Sequence, residues 1–281
     1  MKTQVKTKKT SKRQRIGGAE TFYNIRLSLG HVTIALDDLM RETGLSALAA
    51  KRQLTRLRDN VVRISRRQPF YLIVSPEHRR MGAPPPEWWL QDYFDWLGRP
   101  YYLALQSAAS ALGSNPQAIQ TTQVMTDRPC RAIRIGRIQV RFFVKRGIRQ
   151  TTTRHLEGTI APLCVSTPEA TTYDLIRYAA SIGGIERATE TIRPLLPLLR
   201  ARELKRVLDA EAKNELPTAQ RLGFVIEASG NKPLAKVVRD WLPADKISPV
   251  MLVPTRGGHG RADVPLVARW QMLNNSSELK I

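Results

Sequence analysis

Residues 36–74 read LDDLMRETGLSALAAKRQLTRLRDNVVRISRRQPFYLIV, and how this stretch folds decides the architecture of the first part of the chain. Leu36, Leu39 and Met40 recur at helical spacing, with Asp37 and Asp38 in the first turn, where carboxylates favour the positive end of a helix dipole; Gly44 then stops the helix. After Leu45, Ser46 is a suitable N-cap for a second helix with the apolar seam Ala47, Ala50, Leu54 and Leu57. Its other face carries Lys51, Arg52, Thr55, Arg56 and Arg58. Two β-prone runs follow, Val61–Ser65 and Phe70–Val74, on either side of Arg66-Arg67-Gln68-Pro69, which reads as a hairpin with a basic tip. Upstream, a further helix is expected near Glu20–Leu29.

Helix, helix, turn, basic helix and a hairpin with a cationic tip: this order resembles a winged helix-turn-helix. A helix about 10–12 Å across fits the DNA major groove, and the tip of the following hairpin then lies over a flanking phosphate or the minor groove. The expected reading set is Lys51, Arg52 and Gln53 near the groove, because Lys and Arg pair with guanine and Gln with adenine; Arg56, Arg63, Arg66 and Arg67 would meet phosphates. Winged-helix repressors usually meet inverted repeats as pairs, but no heptad or exposed apolar seam in the sequence identifies a dimer face.

The charge agrees with a polyanionic partner. The 281 residues hold 45 Lys+Arg against 24 Asp+Glu, a formal +21. Residues 1–15, 51–80 and 128–154 together net +23, so the remainder nets −2 and the basic character is localised. In the third stretch Arg131, Arg134, Arg137, Arg141, Lys145, Arg146 and Arg149 alternate along expected strands, so several are expected to share one sheet face, either a second nucleic-acid surface or a solubilising one. No apolar run approaches the roughly 20 residues of a membrane span, two cysteines cannot make a disulfide framework, and the basic N-terminus lacks the apolar core of a secretory signal. A cytoplasmic location and no membrane partner are expected.

The overall expectation is an α+β protein: a flexible basic arm (residues 1–18), a winged helix-turn-helix (19–75), a Pro-rich linker (76–86) and a mixed α+β domain (87–281). In the last, Glu87–Leu97, Tyr101–Leu112, Pro168–Tyr178, Ile185–Leu199, Ala201–Ala212, Thr218–Glu227 and Leu234–Leu242 read as helices. Thr121–Thr126, Cys130–Ile135, Ile138–Lys145 and Leu266–Met272 read as strands. The aromatics Trp88, Trp89, Tyr93, Phe94 and Trp96 are expected to seat a core or an interdomain joint rather than to stack bases.

Catalytic motifs are scarce. His31, His78, His155 and His259 have no metal-ligand spacing, no GxxxxGK[ST] or GxSxG occurs, and the loop Arg256–Arg261 lacks the strand and helix that would make it a phosphate cradle. Cys164 with His155 is a paper nucleophile in an apolar run, better read as a buried cysteine. Glu157 and Glu169 near Lys145 leave a metal-dependent nuclease as one alternative, and a winged-helix regulator whose second domain senses a ligand or dimerises as another. The leading expectation is not an enzyme and has no metal or cofactor.

Seven further segments carry a family resemblance. They are Tyr101-Tyr102-Leu103-Ala104-Leu105-Gln106-Ser107-Ala108-Ala109, Gln123-Val124-Met125-Thr126, Ile135-Gly136-Arg137, Val140-Arg141-Phe142-Phe143, Val165-Ser166-Thr167-Pro168-Glu169-Ala170-Thr171, Ser181-Ile182-Gly183-Gly184, and Arg269-Trp270-Gln271-Met272-Leu273-Asn274. In this order they resemble the AbiEi family, the abortive-infection antitoxins of type IV toxin–antitoxin systems. The resemblance implies a bacterial antitoxin that represses its own operon through a winged helix and counteracts a co-encoded nucleotidyltransferase-like toxin without needing a stable complex. It implies DNA reading by the helix from Ser46 to Arg58 and by the Arg66-Arg67 wing. Residues 1–15, the helix Leu234–Leu242 and the loop Gly257–Gly260 lie outside it.

Overall fold

Three short helices and a three-stranded antiparallel sheet build residues 17–74 of the computed structural model, which describes residues 17–114, 120–156, 162–211, 215–254 and 263–280. The elements are α1 (Gly18–Ser28), β1 (Thr33–Ala35), α2 (Leu36–Thr43), α3 (Ala47–Arg56), β2 (Val61–Arg63) and β3 (Phe70–Ile73). Sheet order is β1-β3-β2, with Thr33 opposite Leu72 and Val61 opposite Ile73. Gly44 closes α2 in the left-handed conformation (φ 74°), its N–H reaching the Met40 carbonyl at 2.8 Å, a geometry glycine adopts without steric cost. Two residues later the Ser46 hydroxyl accepts the Ala49 N–H at 3.3 Å and starts α3. Phe22, Ile34, Leu36, Leu39, Ala50, Leu54, Val61, Tyr71 and Ile73 close the core of this part.

The chain divides into two compact units, Met1–Pro85 with Ile135–Arg137, and Pro86–Arg134 with Ile138–Ile281. The Pro-rich stretch before the division is packed: Ala83, Pro84 and Pro86 are buried, and Pro76–His78 and Pro86–Trp88 form single 3-10 turns. Most of the basic arm, residues 1–16, lies outside the described residues.

The second unit is mixed α and β, as the sequence implies. Its six-stranded sheet has the order β6 (Ile133–Ile135), β7 (Ile138–Val144), β5 (Thr122–Thr126), β4 (Tyr101–Leu103), β9 (Leu163–Ser166) and β8 (Thr153–Leu156). Neighbouring tyrosines of β4 serve opposite faces, as the two-residue strand period requires. The Tyr101 ring stacks on Phe94 of α4 (Leu90–Leu97) at 4.5 Å, while Tyr102 donates its hydroxyl to Asp174 of α6 (Pro168–Arg177) at 2.8 Å. Trp89, Tyr93 and Phe94 are buried, so this aromatic group is core.

Two helices expected from the sequence are corrected. Residues Tyr101–Leu103 form β4, and the helix α5 covers Leu105–Ala111 alone; a short apolar run buried on both faces has no period to mark it as strand. The helix α7 stops at Ile192 (Ile185–Ile192), because Pro194 and Pro197 remove backbone donors and tighten Arg193–Leu198 into a 3-10 turn.

Helices α8 (Ala201–Ala210), α9 (Leu216–Ala228) and α10 (Lys232–Trp241) complete the helical layer. A small sheet of order β10 (Val250–Met251), β12 (Met272–Leu273), β11 (Leu266–Val267) is tied to α9. Gln220 donates to the Ser248 and Trp270 carbonyls at 3.0 and 2.9 Å, Arg221 donates to Met251 at 3.0 Å, and the Trp270 indole N–H meets Glu227. Gly223 makes room for Trp270: a Cβ there would sit 2.0 Å from the indole ring. Gly223→Ala is therefore expected to cost about 2–3 kcal/mol, read as a lowered urea midpoint, with part of the loss recovered by adding Trp270→Phe.

Candidate nucleic-acid interface

The outward face of α3 is the exposed counterpart of its core seam. At 100° per residue Leu48, Lys51, Arg52, Thr55 and Arg56 fall within an arc of about 140°, opposite Ala50 and Leu54. Leu48, Lys51, Arg52, Thr55 and Arg56 are all exposed. The cations Lys51, Arg52 and Arg56 have no carboxylate within salt-bridge reach and no side-chain hydrogen bond among the described residues.

The hairpin presents its own pair. Ser65 and Gln68 brace the turn, with the Gln68 N–H donating to the Ser65 hydroxyl at 3.2 Å and the Arg63 Nε donating to the Gln68 carbonyl at 2.9 Å. This turn leaves Arg66 and Arg67 exposed at its tip, again without a partner among the described residues. Uncompensated cations on a short, braced element suit phosphate oxygens, which accept hydrogen bonds and carry the opposite charge.

Three residues expected to contact DNA also make contacts within the fold. The Ser46 hydroxyl caps α3. The Gln53 carboxamide oxygen accepts the Ala19 N–H at 2.8 Å, which fixes the start of α1 against α3 and turns Gln53 away from the outward face. Arg63 holds the hairpin turn through its Nε and lies over the Tyr71 ring at 5.9 Å.

The expectation of one shared face for the basic stretch after residue 128 is also corrected. Only Arg134 and Arg141 lie on strands; Arg131, Arg137, Arg146 and Arg149 sit in the connections, exposed. Arg141 donates to the Ser181 carbonyl at 3.2 Å and covers Phe143 at 4.8 Å. Lys145 is buried, 2% exposed, because its ammonium lies between Asp174 (2.7 Å) and Glu211 (2.6 Å). Arg177 extends this cluster to Glu211 at 3.0 Å and Glu215 at 2.8 Å. Burial alone would pull the Lys145 ammonium down; the two carboxylates outweigh it and hold it above its ordinary value. Burial and the Asp174 charge push the Tyr102 phenol well up, so it stays a donor.

No local pattern announces this cluster, since Asp174 and Glu211 stand 29 and 66 residues from Lys145. Leu48 could have been found on the same helical wheel that singled out Lys51, Arg52 and Thr55.

Two of the three groups of the nuclease alternative are engaged within the fold. Glu169 is buried and accepts the Arg200 N–H at 2.9 Å, Lys145 is paired, and Glu157 lies outside the described residues. No group of three His, Cys, Asp or Glu that could hold a metal ion occurs among the described residues. Cys164 stands directly opposite His155 across the β8–β9 pair, but burial pushes its thiol up, away from the thiolate a nucleophile needs. His259 and the loop Arg256–Arg261 lie outside the described residues. No described helix is long and apolar enough to cross a membrane.

Fold and surface together define a two-unit mixed α and β protein whose cations on one helix and one hairpin tip are unpaired among the described residues. Over residues 102–228 the chain matches the family described as AbiEi antitoxin C-terminal domain. Among solved structures it is similar to the crystal structure of the RV2827C protein from Mycobacterium tuberculosis, at 16% identity over 94% of both chains with a TM-score of 0.64, a likeness of fold. It also matches the solution structure of the antibiotic-resistance factor ANT(2'')-Ia at 15% identity and a TM-score of 0.32, covering 43% of this chain and 86% of that one. A nucleotidyltransferase-like protein from Paracoccidioides brasiliensis matches at 12% identity and a TM-score of 0.31, covering 49% of this chain and 88% of that one. No curated protein matches the chain.

Proposed function

We propose that this chain is the antitoxin of a type IV, abortive-infection toxin–antitoxin pair, and that it represses its own operon by binding double-stranded DNA. In this reading residues 19–75 are a winged helix-turn-helix, α3 enters the major groove, and Arg66 and Arg67 grip flanking phosphate from the wing. Residues 76–86 join it to an antitoxin domain, 87–281, that counteracts a co-encoded nucleotidyltransferase-like toxin without a stable complex and without catalysis of its own.

The observation that carries the DNA reading is the set of five exposed cations, Lys51, Arg52, Arg56, Arg66 and Arg67, none compensated by a described carboxylate. The family match over residues 102–228 supports the antitoxin role.

The test has two arms. Purified full-length protein is titrated against a duplex from immediately upstream of its reading frame and against a scrambled duplex across a salt series. With Arg56, Arg66 and Arg67 on phosphates, log K is expected to fall with log salt at a slope of about −3 per bound chain, and the upstream duplex is expected to bind about 10³-fold tighter. Equal affinity for both duplexes overturns autorepression. In cells, inducing the neighbouring reading frame is expected to stop growth, and co-expression of this chain to restore it; growth arrest that persists with the chain present overturns the antitoxin role.

A further inference from the structure

Leu48 is the single large apolar side chain on the outward face of α3, and it is 60% exposed. On the helical wheel it falls between Lys51 and Arg52, one turn closer to the helix start, with Thr55 beyond them. It has no core to serve there, because Ala50 and Leu54 already seat the inner face of the same helix.

Isolated leucines are common on protein surfaces, and by itself this one would signify nothing. Its surroundings are what distinguish it. A leucine bordered by three uncompensated cations is a poor fit to an apolar protein surface, which would have to bury those charges unpaired. It fits a surface that offers an apolar group among anions. The floor of the DNA major groove does so at thymine, whose C5-methyl lies between two phosphate backbones.

Position on the helix points the same way. Side chains of a helix lean towards its N-terminus, and a groove-inserted helix meets base edges through its first turns. Leu48 lies in the first turn of α3, one turn nearer the helix start than Lys51 and Arg52. We infer that Leu48 is a specificity-determining residue that reads a thymine methyl, next to the bases contacted by Lys51 and Arg52. Four residues of helix rise about 6 Å, close to two base-pair steps, so the thymine lies within about two base pairs of the base met by Arg52.

This inference rests on the DNA-binding reading above, and the experiment separates the two. Duplexes that the full-length protein prefers are selected from a random pool, and each thymine of the selected site is replaced in turn by uracil, which removes the methyl alone. At one thymine per bound chain, uracil is expected to weaken binding about 4- to 10-fold for the unmodified protein. Leu48→Ala is expected to bind the thymine and uracil duplexes equally, with the salt slope unchanged. Leu29→Ala, which removes another exposed leucine at the end of α1, is expected to discriminate as the unmodified protein does.

A selected site in which every thymine tolerates uracil, or a Leu48→Ala protein that keeps the discrimination, overturns the role of Leu48 while leaving DNA binding intact. A pool that yields no preferred sequence overturns operator reading itself, and the thymine contact with it.

Discussion

Lys145→Ala is expected to lower stability by about 3–5 kcal/mol, because it leaves the Asp174 carboxylate buried without its cation. Asp174 is fully buried and would keep only the Tyr102 hydroxyl, while Glu211 would retain Arg177. Lys145→Met keeps most of the apolar stem and removes the charge, so an equal loss in that variant assigns the effect to the ion pairs rather than to packing. Asp174→Asn added to Lys145→Met should recover part of the loss in a double-mutant cycle; strictly additive losses would mean that the pair is not coupled.

The same cluster has a pH signature. The Lys145 ammonium is held above its ordinary value of 10.5 by Asp174 and Glu211. A group whose value is raised on folding contributes its stability fully below the unfolded value and loses it as the pH rises through the folded one. The contribution is therefore complete at neutral pH and declines above about pH 10.5. Urea midpoints measured upward from neutral pH should show that decline in the unmodified protein, over and above whatever decline Lys145→Met shows.

Arg52→Glu with Arg56→Glu is expected to abolish the preference for the upstream duplex, weakening binding by about 100-fold or more at moderate salt and flattening the salt slope by about 0.9 for the phosphate contact of Arg56. Both side chains are exposed on α3 and make no described ion pair, so the far-ultraviolet spectrum and the urea midpoint should stay close to those of the unmodified protein. Lys232→Glu with Lys236→Glu on α10 changes the net charge by the same amount at another exposed place. If both double variants lose binding alike, the attraction is a property of total charge and α3 does not read DNA.

Local signals made most of the first unit legible. Ser46 as N-cap, Gly44 as terminator and the basic hairpin tip act through neighbours a few residues away, and each occupies its expected place. The strand β1 escaped because three residues carry no period. Gln53 and Arg63 looked like DNA contacts because their type suits bases and phosphates; their partners, the Ala19 N–H and the Gln68 carbonyl, become visible only when the chain is folded. Lys145 counted as one more cation of a basic stretch for the same reason, since its two carboxylates come from α6 and from the residue after α8, far along the sequence. Tyr101–Leu103 failed differently: a run buried on both sides gives helix and strand the same pattern.

The strand order of the small sheet sets when the second unit can be completed during synthesis. β12 lies between β10 and β11, so neither earlier strand has its neighbour until Met272 and Leu273 have been translated, and the space opposite Gly223 stays empty until Trp270 arrives. A chain stalled before that point leaves apolar surface of α9 uncovered and open to proteases. Under the proposed function, a cell whose messages are broken or whose ribosomes stall makes less finished antitoxin than the count of initiated chains would suggest, and the balance tips towards the toxin through failed translation alone.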